Sequence, residues 1–130
     1  MELELINWLR ERFPATPQIP LSVGDDAALL RISAGRQAVI TTDMLMEGVD
    51  FRLAEQDPAQ VGYKALAASL SDLAAMAAHP VAAFVSVALP KGVRPDLPRE
   101  LMAGMFPLAE KFHCPLAGGD TNSWNGGLVI

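Results

Sequence analysis

Positive charge, cysteine and long apolar runs are all in short supply in this chain, and each shortage excludes something. Lys and Arg number 10 against 15 Asp and Glu, a formal net charge of −5. Nucleic-acid backbones are held by clustered Lys and Arg, so nucleic acid is not an expected partner. No stretch of about 18 uncharged apolar residues exists that could span a bilayer as a helix. The longest candidate, Ala65 to Pro90, is interrupted by Asp72, His79 and Pro80. It reads as helix, turn and strand, so no membrane partner is expected either. Glu2 and Glu4 stand where a signal peptide would carry basic residues. Cys114 is the only cysteine, which rules out an internal disulfide and points to the reducing cytoplasm. No Ser-His-Asp or Cys-His arrangement is evident, and no side chain is assigned as a nucleophile or general base.

What is present is an apolar chain with short polar punctuation. Hydrophobic residues make up 51% and charged ones 19% of the 130, a balance unlike that of disordered or fibrous chains. The length suits one domain, or one part of a larger protein. Leu3, Ile6, Trp8, Leu9 and Phe13 predict a helix over 2–13, ended by Pro14, with Pro17 and Pro20 forming an extended connector. Residues 21–40 read as short strands around turns at Gly24 and at Ala34-Gly35-Arg36. Asp57-Pro58 predicts a capped helix start, and His79-Pro80 stops that helix after about Ala78. Val81 to Leu89 is rich in Val and Phe and reads as a buried central strand. A helix from about Asp96 to Phe112 follows, which Gly104 and Pro107 should bend. Pro115 to Ala117 leads into a glycine-rich turn. Asn125-Gly126 signals a hairpin, with 127–130 opening a returning strand. That strand stops short, so the chain is expected to be a domain of a longer protein.

Four aspartate motifs carry the candidate chemistry: Gly24-Asp25-Asp26, Thr41-Thr42-Asp43, Ser69-Leu70-Ser71-Asp72 and Gly118-Gly119-Asp120-Thr121. Carboxylates and hydroxyls are hard oxygen donors, which suit Mg²⁺ better than softer metals. Each motif also has a plain structural reading. The first can be an ordinary turn, and adjacent side chains in extended backbone face opposite ways, so at most one Asp ligates directly. The second can be a capped strand end. The fourth can be a phosphate-approach loop, but it has neither the Lys of a P-loop nor a Gly-x-Gly-x-x-Gly pattern. Asp72 is the sharpest of the set. It is the only Asp, Glu, Lys or Arg between Ala65 and Pro90, and at 100° per residue it shares a helix side with Ala65, Ala68, Ser69, Ala75 and Met76. A buried carboxylate there requires a partner, either a cation or Lys64 two turns earlier.

In this order the motifs resemble a family. Gly24-Asp25-Asp26-Ala27-Ala28-Leu29-Leu30 followed by Thr41-Thr42-Asp43-Met44-Leu45 is similar to the opening of bacterial thiamine-monophosphate kinases. Tyr63 to Met76 resembles their central helix, and Leu116-Ala117-Gly118-Gly119-Asp120-Thr121 their later glycine-rich segment. These enzymes share a superfamily with aminoimidazole ribonucleotide synthetase. The resemblance implies an α+β domain, with a mixed or antiparallel sheet and flanking helices, whose sheet pairs with a second copy in a homodimer. Residues 1–130 would then be the N-terminal Mg/ATP-binding and dimerisation domain of a longer kinase.

The implied activity is ATP-dependent phosphorylation of thiamine monophosphate to thiamine diphosphate. By position, Asp26, Thr41, Thr42, Asp43, Asp72 and Asp120 match the family's Mg²⁺ ligands, and Gly118 and Gly119 its nucleotide-binding segment. Members commonly carry Gly-x-His-Phe on the substrate side, where this chain has Gly48-Val49-Asp50-Phe51, so Asp50 takes the substrate-binding position. Several Mg²⁺ ions would reverse the local negative sign and bridge two anionic substrates. The acceptor phosphate is already ionised, so direct in-line transfer needs no strong base. The isolated chain is expected to be inactive. The competing expectations are another ATP-using enzyme of the superfamily and a non-catalytic metal-binding dimerisation module.

Overall fold

The structure, a computed structural model, describes residues 2–130. Helix α1 (Glu2–Arg12) has Glu2 and Glu4 in its first turn and Arg10 and Arg12 in its last, the arrangement a helix dipole favours. Leu5 and Leu9, one turn apart, are buried, and Phe13 continues their stripe. Trp8 and Phe13 both meet Phe106, with ring centroids 5.0 and 5.3 Å away. Arg12 pairs with Glu110, and the Arg99 guanidinium lies 4.6 Å from the Trp8 ring. These contacts seat α1 on α3 (Leu97–Lys111).

Helix α2 (Pro58–Ala75) begins where Asp57-Pro58 predicted. Asp57 is extended, and its N–H donates to Gln60 Oε1 at 3.2 Å, one arm of a capping box. The helix ends three residues before the expected Ala78. Ala77 turns left-handed (φ 52°), its N–H reaching Ala74 O at 3.0 Å and that of Ala78 reaching Leu73 O at 2.9 Å. This pair of bonds is a Schellman closure, here built without glycine. His113 (φ 50°) closes α3 in the same way, through Cys114 N–H to Ala109 O at 2.8 Å.

Two glycines set how closely α2 and α3 cross. A Cβ on Gly62 would lie 1.8 Å from Leu101 O, and one on Gly104 would lie 1.9 Å from Ala59 O. Each helix thus presses its backbone into the other's glycine. Gly104 serves this approach inside a helix that continues unbroken through Pro107.

Strands β1 (Ala83–Pro90) and β2 (Leu116–Trp124) pair in parallel, with α3 as the crossover between them. Val129 forms antiparallel bridges with both Ala88 and Met46, so isolated antiparallel pairs flank the two parallel strands of this α+β domain. The chain does reverse after Asn125-Gly126, but the returning residues join the free edge of β1 rather than β2. Ala88 spends both its backbone groups on Val129, at 2.9 and 3.0 Å, while its neighbours face β2.

Three expectations are corrected. β1 is not buried on both faces: Val87 and Leu89 are in the core with Leu101 and Met105, whereas Phe84 is 54% exposed. Its residues alternate because the helices cover one face. The strands predicted over 21–40 are absent apart from a single Leu21–Leu29 bridge. A turn persists, with Arg36 N–H on Ser33 O at 3.2 Å, yet residues 29–40 are all exposed. A two-stranded ribbon without a covered apolar face is marginal. Finally, Gly118-Gly119-Asp120-Thr121 is not a turn but the middle of β2, paired with Phe84 to Val87. The register slips just before it, between Ala83 and Phe84, as a bulge does. Gly119 has φ 148°, and a Cβ there would lie 1.8 Å from Val85 O, so strand pairing itself requires glycine.

Candidate functional site

Two of the four motifs meet directly. Extended backbone puts Thr41 and Asp43 on one side, and helical spacing puts Ser69 and Asp72 on one side of α2. The two sides face each other in reciprocal fashion. Thr41 Oγ1 donates to Asp72 Oδ2 at 2.9 Å, and Ser69 Oγ donates to Asp43 Oδ2 at 2.9 Å. The loop gives a hydroxyl to the helix's carboxylate, and the helix gives one to the loop's. Thr42 lies between the two bonded residues and is exposed. Asp43 and Asp72 are exposed as well, so water shares their solvation and neither carries the full penalty of burial. The burial argued for Asp72 from sequence is therefore not observed, although a partner is.

That partner is not Lys64. Eight residues along a helix are about 12 Å, and the Lys64 ammonium instead donates to the backbone carbonyl of Asp50. The Asp50 carboxylate accepts the Met46 N–H at 2.8 Å, while Gly48 N–H bonds Phe51 O at 2.8 Å. Asp50 thus closes the turn in which Gly48 takes φ 87°. It also lines an open hollow of about 420 Å³ together with Phe51, Arg52 and Glu55.

The other two motifs stand apart from this latch. Asp26 lies in the Gly24 turn, its N–H on Asp25 Oδ1 at 2.8 Å. Asp120 is exposed on β2 opposite Ser86. Among the described residues, no group of three or more His, Cys, Asp or Glu side chains is placed to hold a metal ion. The structure joins Asp43 to Asp72's helix through hydroxyls, and does not gather Asp26 and Asp120 with them. The donor chemistry of the latch does suit Mg²⁺: hydroxyl and carboxylate oxygens, on the surface, with no nitrogen or sulfur ligand among them. Cys114 offers no competing chemistry. It is 1% exposed, and burial pushes its thiol from 9.0 up to about 11, so it is protonated and a poor nucleophile at neutral pH.

Sequence reasoning placed Ser69 on the Asp72 side of the helix but gave it no role; the three-residue spacing was the available signal. It also missed Glu47, whose Oε2 accepts the Leu128 N–H at 3.0 Å and helps tie the 45–47 segment to the sheet.

The fold and this site define a class. The chain belongs to the family of AIR synthase related proteins, N-terminal domain, whose pattern matches residues 24–130. Within it, the chain is similar to thiamine-monophosphate kinases, in agreement with the motif resemblance. It is 37% identical to that of Rhodopirellula baltica, over 100% of this chain and 43% of the relative. It is 36% identical to that of Bacillus subtilis, over 99% of this chain and 40% of the relative. The crystal structure of thiamine-monophosphate kinase from Stenotrophomonas maltophilia superposes with a TM-score of 0.83 at 39% identity, covering 96% of this chain and 39% of that one. The chain therefore spans less than half the length of each. No helix among the described residues is long and apolar enough to cross a membrane.

Proposed function

We propose that this chain works as the N-terminal domain of a cytoplasmic thiamine-monophosphate kinase, which transfers the terminal phosphoryl group of ATP to thiamine monophosphate. The observation that carries this reading is the reciprocal Thr41–Asp72 and Ser69–Asp43 latch, in a chain whose relatives bear that name. Thr41, Thr42, Asp43 and Asp72 would hold Mg²⁺, with Asp26 and Asp120 completing the set from the Gly24 turn and from β2. When bound, Mg²⁺ supplies the positive charge that lets two phosphates approach each other on an acidic domain. Gly118 and Gly119 would keep the strand backbone beside Asp120 open to a nucleotide, and Asp50 would face the acceptor through its turn. The acceptor phosphate is itself an ionised nucleophile that needs no strong base, so transfer is direct and forms no phosphoenzyme. A second copy pairs with the exposed apolar segment, where Leu29, Ile32, Val39 and Ile40 support that docking.

The test is ATP-dependent formation of thiamine diphosphate by the full-length protein. Asp72→Asn should lower kcat about a hundredfold or more, and the 130-residue chain alone should give little or no product. Wild-type protein that ignores thiamine monophosphate would reject the function. Full activity in Asp72→Asn would reject the role of the latch.

A further inference from the structure

We propose that Ser69 is a positioning residue that sets the Asp43 carboxylate for divalent-cation binding; the inference rests on the cation site proposed above. Asp43 lies on irregular backbone, and residues 29–40 before it are all exposed. Asp43 itself belongs to no helix or strand, although Leu45 two residues on is bonded to Ile130, so its carboxylate is oriented by what it meets across the gap to α2. Ser69 is half-buried on α2, well inside the 18-residue helix Pro58–Ala75, and its hydroxyl donates to Asp43 Oδ2 at 2.9 Å. A hydroxyl carries a single proton donor, so this bond occupies one lone pair of one carboxylate oxygen. Oδ1 keeps its acceptor capacity, and the carboxylate keeps its full charge. A Lys or Arg in the same place would orient Asp43 but cancel the charge a cation needs.

The second bond of the latch has a different character. Thr41 and Asp72 both belong to the proposed cation set, whereas Ser69 does not. Ser69 therefore acts on the cation only through Asp43, much as hydrogen-bond partners behind metal ligands do elsewhere. Ser71, two residues on, lies about 200° around the helix from Ser69 and is exposed. It provides a control on the same helix.

The experiment uses the full-length protein with Mn²⁺ alone as probe, its binding read by electron paramagnetic resonance, beside thermal unfolding in EDTA. Ser69→Ala should weaken Mn²⁺ binding about tenfold and leave the EDTA midpoint unchanged. Ser69→Thr, which keeps the hydroxyl, should restore the affinity, and Ser71→Ala should match wild type. Undiminished affinity in Ser69→Ala would overturn the proposal, as would a failure of Thr to restore it or a parallel fall in the EDTA midpoint. Asp43→Asn separates the two levels. If it weakens Mn²⁺ binding while Ser69→Ala does not, only the role of Ser69 falls. If wild type itself binds no Mn²⁺, the cation site falls too.

Discussion

The two halves of this chain solve opposite problems. From Pro58 onward, α2, β1, α3 and β2 bury one another: Val61, Leu101, Met105 and Leu116 are each at most 2% exposed. Between Leu29 and Val49 the chain is just as rich in apolar residues, yet Ile40 is 84% exposed and Val49 77%. Apolar content is not what separates them. In the packed half, helix periodicity and strand alternation each aim one face at a partner within the same chain. In the exposed half, only Leu45 reaches the core, and the other apolar residues meet no such partner. That exposed half also carries Thr41 and Asp43, so half of the latch lies between the exposed residues 29–40 and Leu45, whose backbone bonds Ile130, and its side chains are held by α2.

The comparison breaks most severely at the α2–α3 crossing. Gly104→Ala gains helix propensity worth about 1 kcal/mol but places a methyl group where the Ala59 carbonyl sits. Overpacking of that kind costs about 3 kcal/mol, so the variant should be destabilised overall in urea unfolding. An unchanged midpoint would mean that the helices separate freely.

A smaller effect should appear at alkaline pH. The folded state holds the Cys114 thiol at about 11 against 9.0 for an ordinary one. Burial favours the neutral form, so its contribution is complete below about pH 9 and is lost as pH rises towards 11. Two units set a ceiling of about 3 kcal/mol, which solvent screening lowers to about 1 kcal/mol. Wild type should lose stability in that window relative to Cys114→Ala, and the folded protein should resist thiol alkylation at neutral pH. Prompt alkylation would contradict the burial.

The smallest effect on folding is expected in the exposed half. Ile40→Ser should change unfolding free energy by less than about 0.5 kcal/mol yet weaken self-association in sedimentation. Loss of stability without any change in association would show that the segment packs on its own chain instead.

Local signals reached far in the packed half. Asp57-Pro58 marked the start of α2, and outside that half the apolar spacing over 2–13 marked α1. The four aspartate motifs were legible as sets of hard oxygen donors, because residue type alone decides that chemistry. Three things lay outside the sequence. Gly104 was read only for a bend, and its contact with Ala59 was not foreseen, since close approach depends on where the other helix runs. Gly118-Gly119 looked like a turn and proved to be strand, since its left-handed φ serves pairing with Val85. The predicted strands over 21–40 had the right pattern, but a strand exists only with a neighbour.

The sequence by itself determined the elements that spacing and capping dictate, and the oxygen-donor chemistry of the site. Only the tertiary structure decided which donors meet: Thr41 with Asp72 and Ser69 with Asp43, but neither with Asp26 or Asp120 in one cluster. The reason is range. Propensity and periodicity act over a few residues, whereas Thr41 and Asp72 are 31 positions apart, and only the packing of a loop onto a helix can close that distance.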